Sequence, residues 1–167
     1  INTIRSVIGV DLKTLRPMPT VEGYTTPGGY SCKAVKPIAL RMVMEIATLI
    51  QDEFAGRGRT LSAIGGVETG ADAAEFILLG ADTVQVCTGV MKHGYGLVKS
   101  LRDDLLTFMA EHGFETLDDF KGAALPYFTT HADLVERQAQ AKAEAKAAAA
   151  AKKAAKQDRK STRLNSS

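Results

Sequence analysis

Two short stretches of the chain carry residue types suited to holding an anion. In Leu61-Ser-Ala-Ile-Gly-Gly-Val67 an apolar run that reads as a buried strand stops on Gly65 and Gly66. One strand–helix unit later, Thr83-Val-Gln-Val-Cys87 stops on Thr88 and Gly89. Glycine at a strand end commonly marks a tight turn, because it enters left-handed conformations that other residues avoid. A glycine pair there also lets main-chain N–H groups lie against a phosphate that any Cβ would hold off. Thr88 adds a hydroxyl, and its neighbours add N–H donors. Other chemistries leave no such trace. Cys32 and Cys87 make no CxxC pair, and His93, His112 and His131 have no HxH or HxxxH spacing, so no metal site is readable.

The elements that would position these stretches alternate. After an opening strand, Leu15 to Gly29 holds Pro17, Pro19 and Pro27 with Gly23, Gly28 and Gly29, and reads as a long loop of the kind that serves as a lid or binding loop. Pro37 marks the first turn of a helix over about Val35 to Glu53, with Ala39, Val43, Ile46 and Ile50 on its apolar face. A second helix over Ala71 to Leu79 aligns Ala73, Phe76, Ile77 and Gly80; Thr69 or Asp72 caps its start and Gly80 closes it. Val98, Leu101, Leu105 and Phe108 mark a third, to about His112. Strands joined by helical crossovers imply a parallel sheet with helices on its faces, and three strands are too few to close a barrel. From Asp133 to Gln157 the chain turns to alanine, lysine, glutamate and glutamine: helical by propensity, with nothing to build a core.

The totals are unremarkable. The chain has 167 residues, 45% of them hydrophobic, enough for one core, and a formal charge of +2 that gives no steer toward nucleic acid. No apolar run approaches the roughly 20 residues of a membrane span and no leader is legible, so a reducing, cytoplasmic setting is expected. Ile1 opens as though in mid-strand, which predicts a start inside a domain. Residues 158–167 resemble the translation of a sequencing-adapter oligonucleotide and are set aside. The organisation expected is a partial barrel domain over 1–122, a post-barrel segment and Ala/Lys-rich helix over 123–157, and the adapter-like end.

Loops after the seventh and eighth strands of (β/α)8 barrels commonly form a phosphate site. The residues narrow this further. Asn2-Thr3, Gly28-Gly-Tyr-Ser31, Ala34-Val-Lys-Pro-Ile-Ala-Leu40, Ile64-Gly-Gly-Val67, Ala73-Ala-Glu-Phe-Ile-Leu-Leu-Gly-Ala81 and Val84-Gln-Val-Cys-Thr88 together resemble the dihydroorotate dehydrogenase-like flavin barrels, and among them the pyrimidine-reducing dehydrogenases. The resemblance covers about Ile1 to Gly122 and extends to Phe128-Thr-Thr-His-Ala-Asp133, similar to the family's post-barrel segment. It implies an α/β fold: the C-terminal portion of a (β/α)8 TIM barrel, about strands six to eight with their helices, followed by an extended Ala/Lys-rich helix.

By the same resemblance, Asn2 and Thr3 contact the pyrimidine base. Ser31, Cys32, Ile64, Gly65, Gly66, Cys87 and Thr88 contact FMN, with Cys87 a backbone ligand and not a nucleophile. In the family a glycine commonly follows Ser31; Cys32 stands there, a departure that bears on any close backbone approach or left-handed conformation. Lys36 and Pro37 read as the helix start. The reaction implied is reduction of the C5–C6 double bond of uracil or thymine, with electrons from NADH through a partner subunit carrying flavin and iron–sulfur clusters, in an oligomeric assembly. The family's catalytic cysteine and flavin-adjusting lysines belong to earlier loops and strands, so no catalytic residue is assigned in this stretch, which alone is expected not to turn over. Three alternatives stand beside this: a dihydroorotate dehydrogenase, a non-redox phosphate-binding barrel enzyme, and a non-catalytic piece whose tail docks a partner.

Overall fold

A computed structural model describes residues 3–164. The chain forms two compact units, the first ending at Leu125 and the second beginning at Pro126. The first opens with β1 (Ile4–Val7) and β2 (Gly9–Asp11), followed by β3 (Arg16–Met18), β4 (Thr20–Val21), β5 (Tyr24–Thr25) and β6 (Gly28–Tyr30). β2 pairs antiparallel with β3, β4 with β5, and β1 with β6. The stretch expected as a long loop over Leu15–Gly29 is therefore hairpins. Glu22 and Gly23 both have positive φ, 52° and 84°, which makes the two-residue turn that matches strand twist. The hydroxyls of Thr20 and Thr25 both donate to Pro17 O, at 2.5 and 2.9 Å, and hold the adjoining chain against it.

A 3₁₀ turn over Cys32–Val35 leads into α1 (Lys36–Phe54), with Pro37 in the first turn, where a missing N–H costs nothing. α1 buries Ala39, Val43, Met44 and Ala47. Ile46, expected on this face, is 40% exposed. The buried stripe is smaller because α1 packs close: a Cβ on Gly80 would lie 2.7 Å from Ala47 Cβ.

β7 (Ser62–Ile64), α2 (Gly70–Leu78) and β8 (Thr83–Gln85) follow, then α3 (Thr88–His93) and α4 (Leu97–His112). β7 and β8 are parallel with Ile64 opposite Gln85, the arrangement a helical crossover imposes. Ala73, Phe76 and Ile77 are buried, as their spacing predicts, and Phe76 packs with Val43, Ala63, Val67 and Leu101. On α4 the buried residues are Leu101 and Met109, while Val98 is 57% exposed. Gly70 lets α2 meet α4, since any Cβ there would collide with Asp104 and Leu105. Phe120, fully buried, stacks with Phe114 at 5.1 Å and meets Phe108 edge-on at 5.6 Å. Gly122 and Ala124 N–H groups donate to Ile77 O and Leu78 O.

The second unit is dominated by α5 (His131–Leu164). It extends beyond the expected Asp133–Gln157, through most of the residues set aside as adapter-like. Asp133 anchors its start, receiving Thr129 Oγ1 and Arg137 Nε, both at 2.5 Å. Alanine and lysine propensity carries the rest.

Candidate functional site

The C-terminal ends of β7 and β8 are neighbours, so the chain leaving each enters the same space. A cleft of about 90 Å³ lies there, lined by Thr3, Ser31 and Cys32, by Ile64 through Glu68, and by Gln85 and Cys87 through Gly89. Of the residues singled out from the sequence, Thr3, Ser31, Cys32, Ile64, Gly65, Gly66, Cys87 and Thr88 all line it; Asn2 lies outside the described residues. Gly89, read from the sequence as a strand end, also lines it, as do Val67, Glu68 and Gln85, to which no role was assigned.

The glycines have a second reason to be there. Gly65 and Gly66 sit at φ 145° and 77°, and a Cβ on Gly66 would lie 2.7 Å from Cys32 O and 2.8 Å from Lys33 Cα. A Cβ on Gly89 would lie 2.8 Å from Val67 O. Backbone thus packs on backbone between the three walls, which leaves room for the chain before room for any ligand. Cys32 has φ 65°. The residue that departs from the glycine pattern therefore occupies a left-handed conformation, at a cost of roughly 1–2 kcal/mol.

The two helix starts near the cleft differ. α2 has a complete capping box: Asp72 N–H donates to Thr69 Oγ1 at 3.1 Å, and Asp72 Oδ2 accepts Thr69 N–H at 2.8 Å and Glu68 N–H at 2.9 Å. Gly70 N–H points to Asp104 Oδ2 at 3.3 Å. The start of α2 is therefore satisfied from within the protein, by the Thr69 hydroxyl, by Asp72 and by Asp104 of α4. α3 starts at Thr88 with Cys87 before it and no side-chain cap among the described residues.

Charge around the cleft is balanced in pairs. Burial works against ionisation of Asp72, but hydrogen bonds from Lys36, Glu68 N–H and Thr69 outweigh it and hold the carboxyl at about 2. Lys36 is desolvated yet raised overall by Asp72 and Glu75; it does not line the cleft. Glu68 does, and Lys92 Nζ at 2.9 Å holds it below the usual carboxylate range, with His93 Nε2 at 3.8 Å. Its signal in the sequence was its place two residues after the glycine pair, which composition alone does not flag. Among the described residues no group of three or more His, Cys, Asp or Glu could hold a metal ion, and no helix is long and apolar enough to cross a membrane.

An α/β unit whose parallel strand ends and glycine turns converge on one small cleft has a counterpart among known proteins: the dihydroorotate dehydrogenase family model matches residues 1–109, and the chain belongs to that family. Among curated relatives it is 65% identical over 141 residues to the chloroplastic dihydropyrimidine dehydrogenase (NADP(+)) of Arabidopsis thaliana, covering 84% of this chain and 33% of that protein. It is 45% identical over 124 residues to the NAD-dependent dihydropyrimidine dehydrogenase subunit PreA of Escherichia coli (strain K12), covering 74% of this chain and 29% of that one. The chain thus spans about a third of the length of these relatives. In fold it is similar to the ligand-free dihydroorotate dehydrogenase of Eimeria tenella, with a TM-score of 0.53 at 24% identity, covering 71% of this chain and 30% of that one.

Proposed function

We propose that the cleft receives the phosphate of flavin mononucleotide and that the whole protein reduces the C5–C6 double bond of uracil or thymine. The observation that carries this reading is convergence: eight residues from four separate stretches line one cleft where two parallel strands end. β7 and β8 would be the seventh and eighth strands of a (β/α)8 barrel and β1 the sixth, although β1 pairs antiparallel with β6 and not with β7. A cleft of about 90 Å³ suits a phosphate group, whereas whole-ligand pockets need roughly 300 Å³ or more. The residues fit that group. Gly65 and Gly66 present backbone with no Cβ, Thr88 brings a hydroxyl beside an uncapped helix start, and Lys92 offsets the one carboxylate in the lining.

In this reading Ser31 and Cys32 form one wall, Ile64 to Gly66 the second, and Cys87 and Thr88 the third. Asn2 and Thr3 take the edge of the pyrimidine, an amide supplying both a donor and an acceptor. FMN, when bound, supplies hydride chemistry, and this chain's residues bind and orient. Electrons come from NADH through a partner subunit with flavin and iron–sulfur clusters, in an oligomeric assembly; the PreA relative is itself named a subunit. Two free thiols, Cys32 and Cys87, fit a reducing compartment, for which we propose the cytoplasm. The plant relative is, by its name, chloroplastic.

The family's name supports a second reading, oxidation of dihydroorotate at the same flavin site. Uracil and orotate titrated against the FMN-loaded full-length protein separate the two: uracil perturbs the flavin spectrum in the first, orotate in the second. Gly66→Ala is expected to weaken FMN binding at least about tenfold, because the backbone must move off Cys32. A full-length protein that leaves FMN fluorescence unchanged would overturn both.

A further inference from the structure

Asp72 is only 4% exposed and accepts from two directions at once. Its Oδ1 lies 2.5 Å from Lys36 Nζ, and its Oδ2 takes the N–H groups of Glu68 and Thr69. Lys36 follows the Ser31–Cys32 wall by one short turn, and Glu68 ends the lining stretch that begins at Ile64. The same two walls touch directly where Gly66 meets Cys32 O and Lys33 Cα. The main chain supplies contact there, and the part-buried ion pair supplies the tie. Neither Lys36 nor Asp72 lines the cleft, so any effect they have on a ligand passes through the walls they join.

We infer that Lys36 and Asp72 are positioning residues that fix the gap between the Ser31–Cys32 and Gly65–Gly66 walls, and so set how strongly the site favours a phosphorylated flavin over an unphosphorylated one. This rests on the flavin-phosphate reading of the cleft. Removing Lys36 leaves a buried carboxylate with its amide partners but no lateral anchor, and the two walls can then drift apart.

The test is the ratio of FMN to riboflavin affinity, titrated by flavin fluorescence with the full-length protein. Lys36→Met is expected to weaken FMN binding roughly tenfold and riboflavin binding less than about twofold. Glu75→Gln removes the other carboxylate near Lys36, at 2.7 Å, and is expected to leave the ratio unchanged. A wild-type protein with no preference for FMN would sink the phosphate reading. A wild-type preference that survives in Lys36→Met, or a variant that weakens both flavins equally, would overturn the clamp while that reading stands. So would a ratio lost in Glu75→Gln. Should Lys36→Met fail to fold, Lys36→Arg is read in its place, since it keeps the charge but alters the reach to Asp72. If riboflavin binds too weakly to measure, competition by inorganic phosphate is read instead and is expected to weaken in step with FMN.

Discussion

The strands around the cleft and the hairpins before it treat apolar side chains in opposite ways. Near β7 and β8, Ala63, Phe76 and Ala81 are almost wholly covered, whereas Leu12, Leu15, Val21 and Tyr24 in the hairpins remain 75–83% exposed. Both regions belong to the first compact unit. The hairpins are held by nearby partners: a two-residue turn at Glu22-Gly23, two threonine hydroxyls on Pro17 O, and Asp11 on Lys13 N–H. The β7–α2–β8 region is held by residues distant in sequence, with Val43, Phe76 and Leu101 meeting in one cluster. Apolar content therefore does not report what holds a segment. A local hydrogen-bond pattern can shape strands that bury little, while a parallel pair needs its crossover helix packed over it.

Mutations on the two sides should separate these modes. Phe76→Ala, in the fully buried cluster, is expected to cost about 3–5 kcal/mol in denaturant unfolding. A loss below 1 kcal/mol would mean that the cluster does not support the fold. Next comes acid. The Asp72 carboxyl sits at about 2, below its ordinary 3.8, so the stability it contributes is complete above 3.8 and drains as pH falls from there toward 2. That contribution is about 2 kcal/mol, and Asp72→Asn should flatten this part of the stability–pH curve. An unaltered acid limb in the variant would remove Asp72 from the account. Cys32→Gly relieves a left-handed non-glycine residue and is expected to raise stability by about 1 kcal/mol; a lower thermal midpoint would contradict it. Smallest is Tyr24→Ala, at 83% exposure, expected within about 0.5 kcal/mol of wild type. A larger loss would show the hairpin leaning on contacts of its side chains.

Much of the βα region was legible. The Thr69 and Asp72 cap, the Ala73–Phe76–Ile77 face and the arrest at Gly80 follow from periodicity and capping chemistry, which act within a few residues. The hairpins were not, because a stretch dense in proline and glycine satisfies the description of a loop equally well; the antiparallel pairings and the paired positive φ values at Glu22 and Gly23 distinguish the two. On α1 and α4 the buried faces turned away from Ile46 and Val98 toward smaller or more flexible side chains, as neighbouring elements dictated. Among cleft residues, the glycines and Thr88 announce themselves by type. Glu68 and Gln85 do not, because a carboxylate or amide becomes part of a site only through what the fold brings to it.

The order of residues alone determined where α2 starts and stops, that two successive strands end in small residues, and which family the chain belongs to. These are matters of local backbone preference and side-chain pattern. Tertiary structure decided that Gly66 must be bare to clear Cys32 O, that Cys32 takes a left-handed turn, and that Lys36 turns to Asp72 instead of the cleft. Each of these depends on the meeting of segments some 30 residues apart, and close packing, unlike propensity, is a property of the pair.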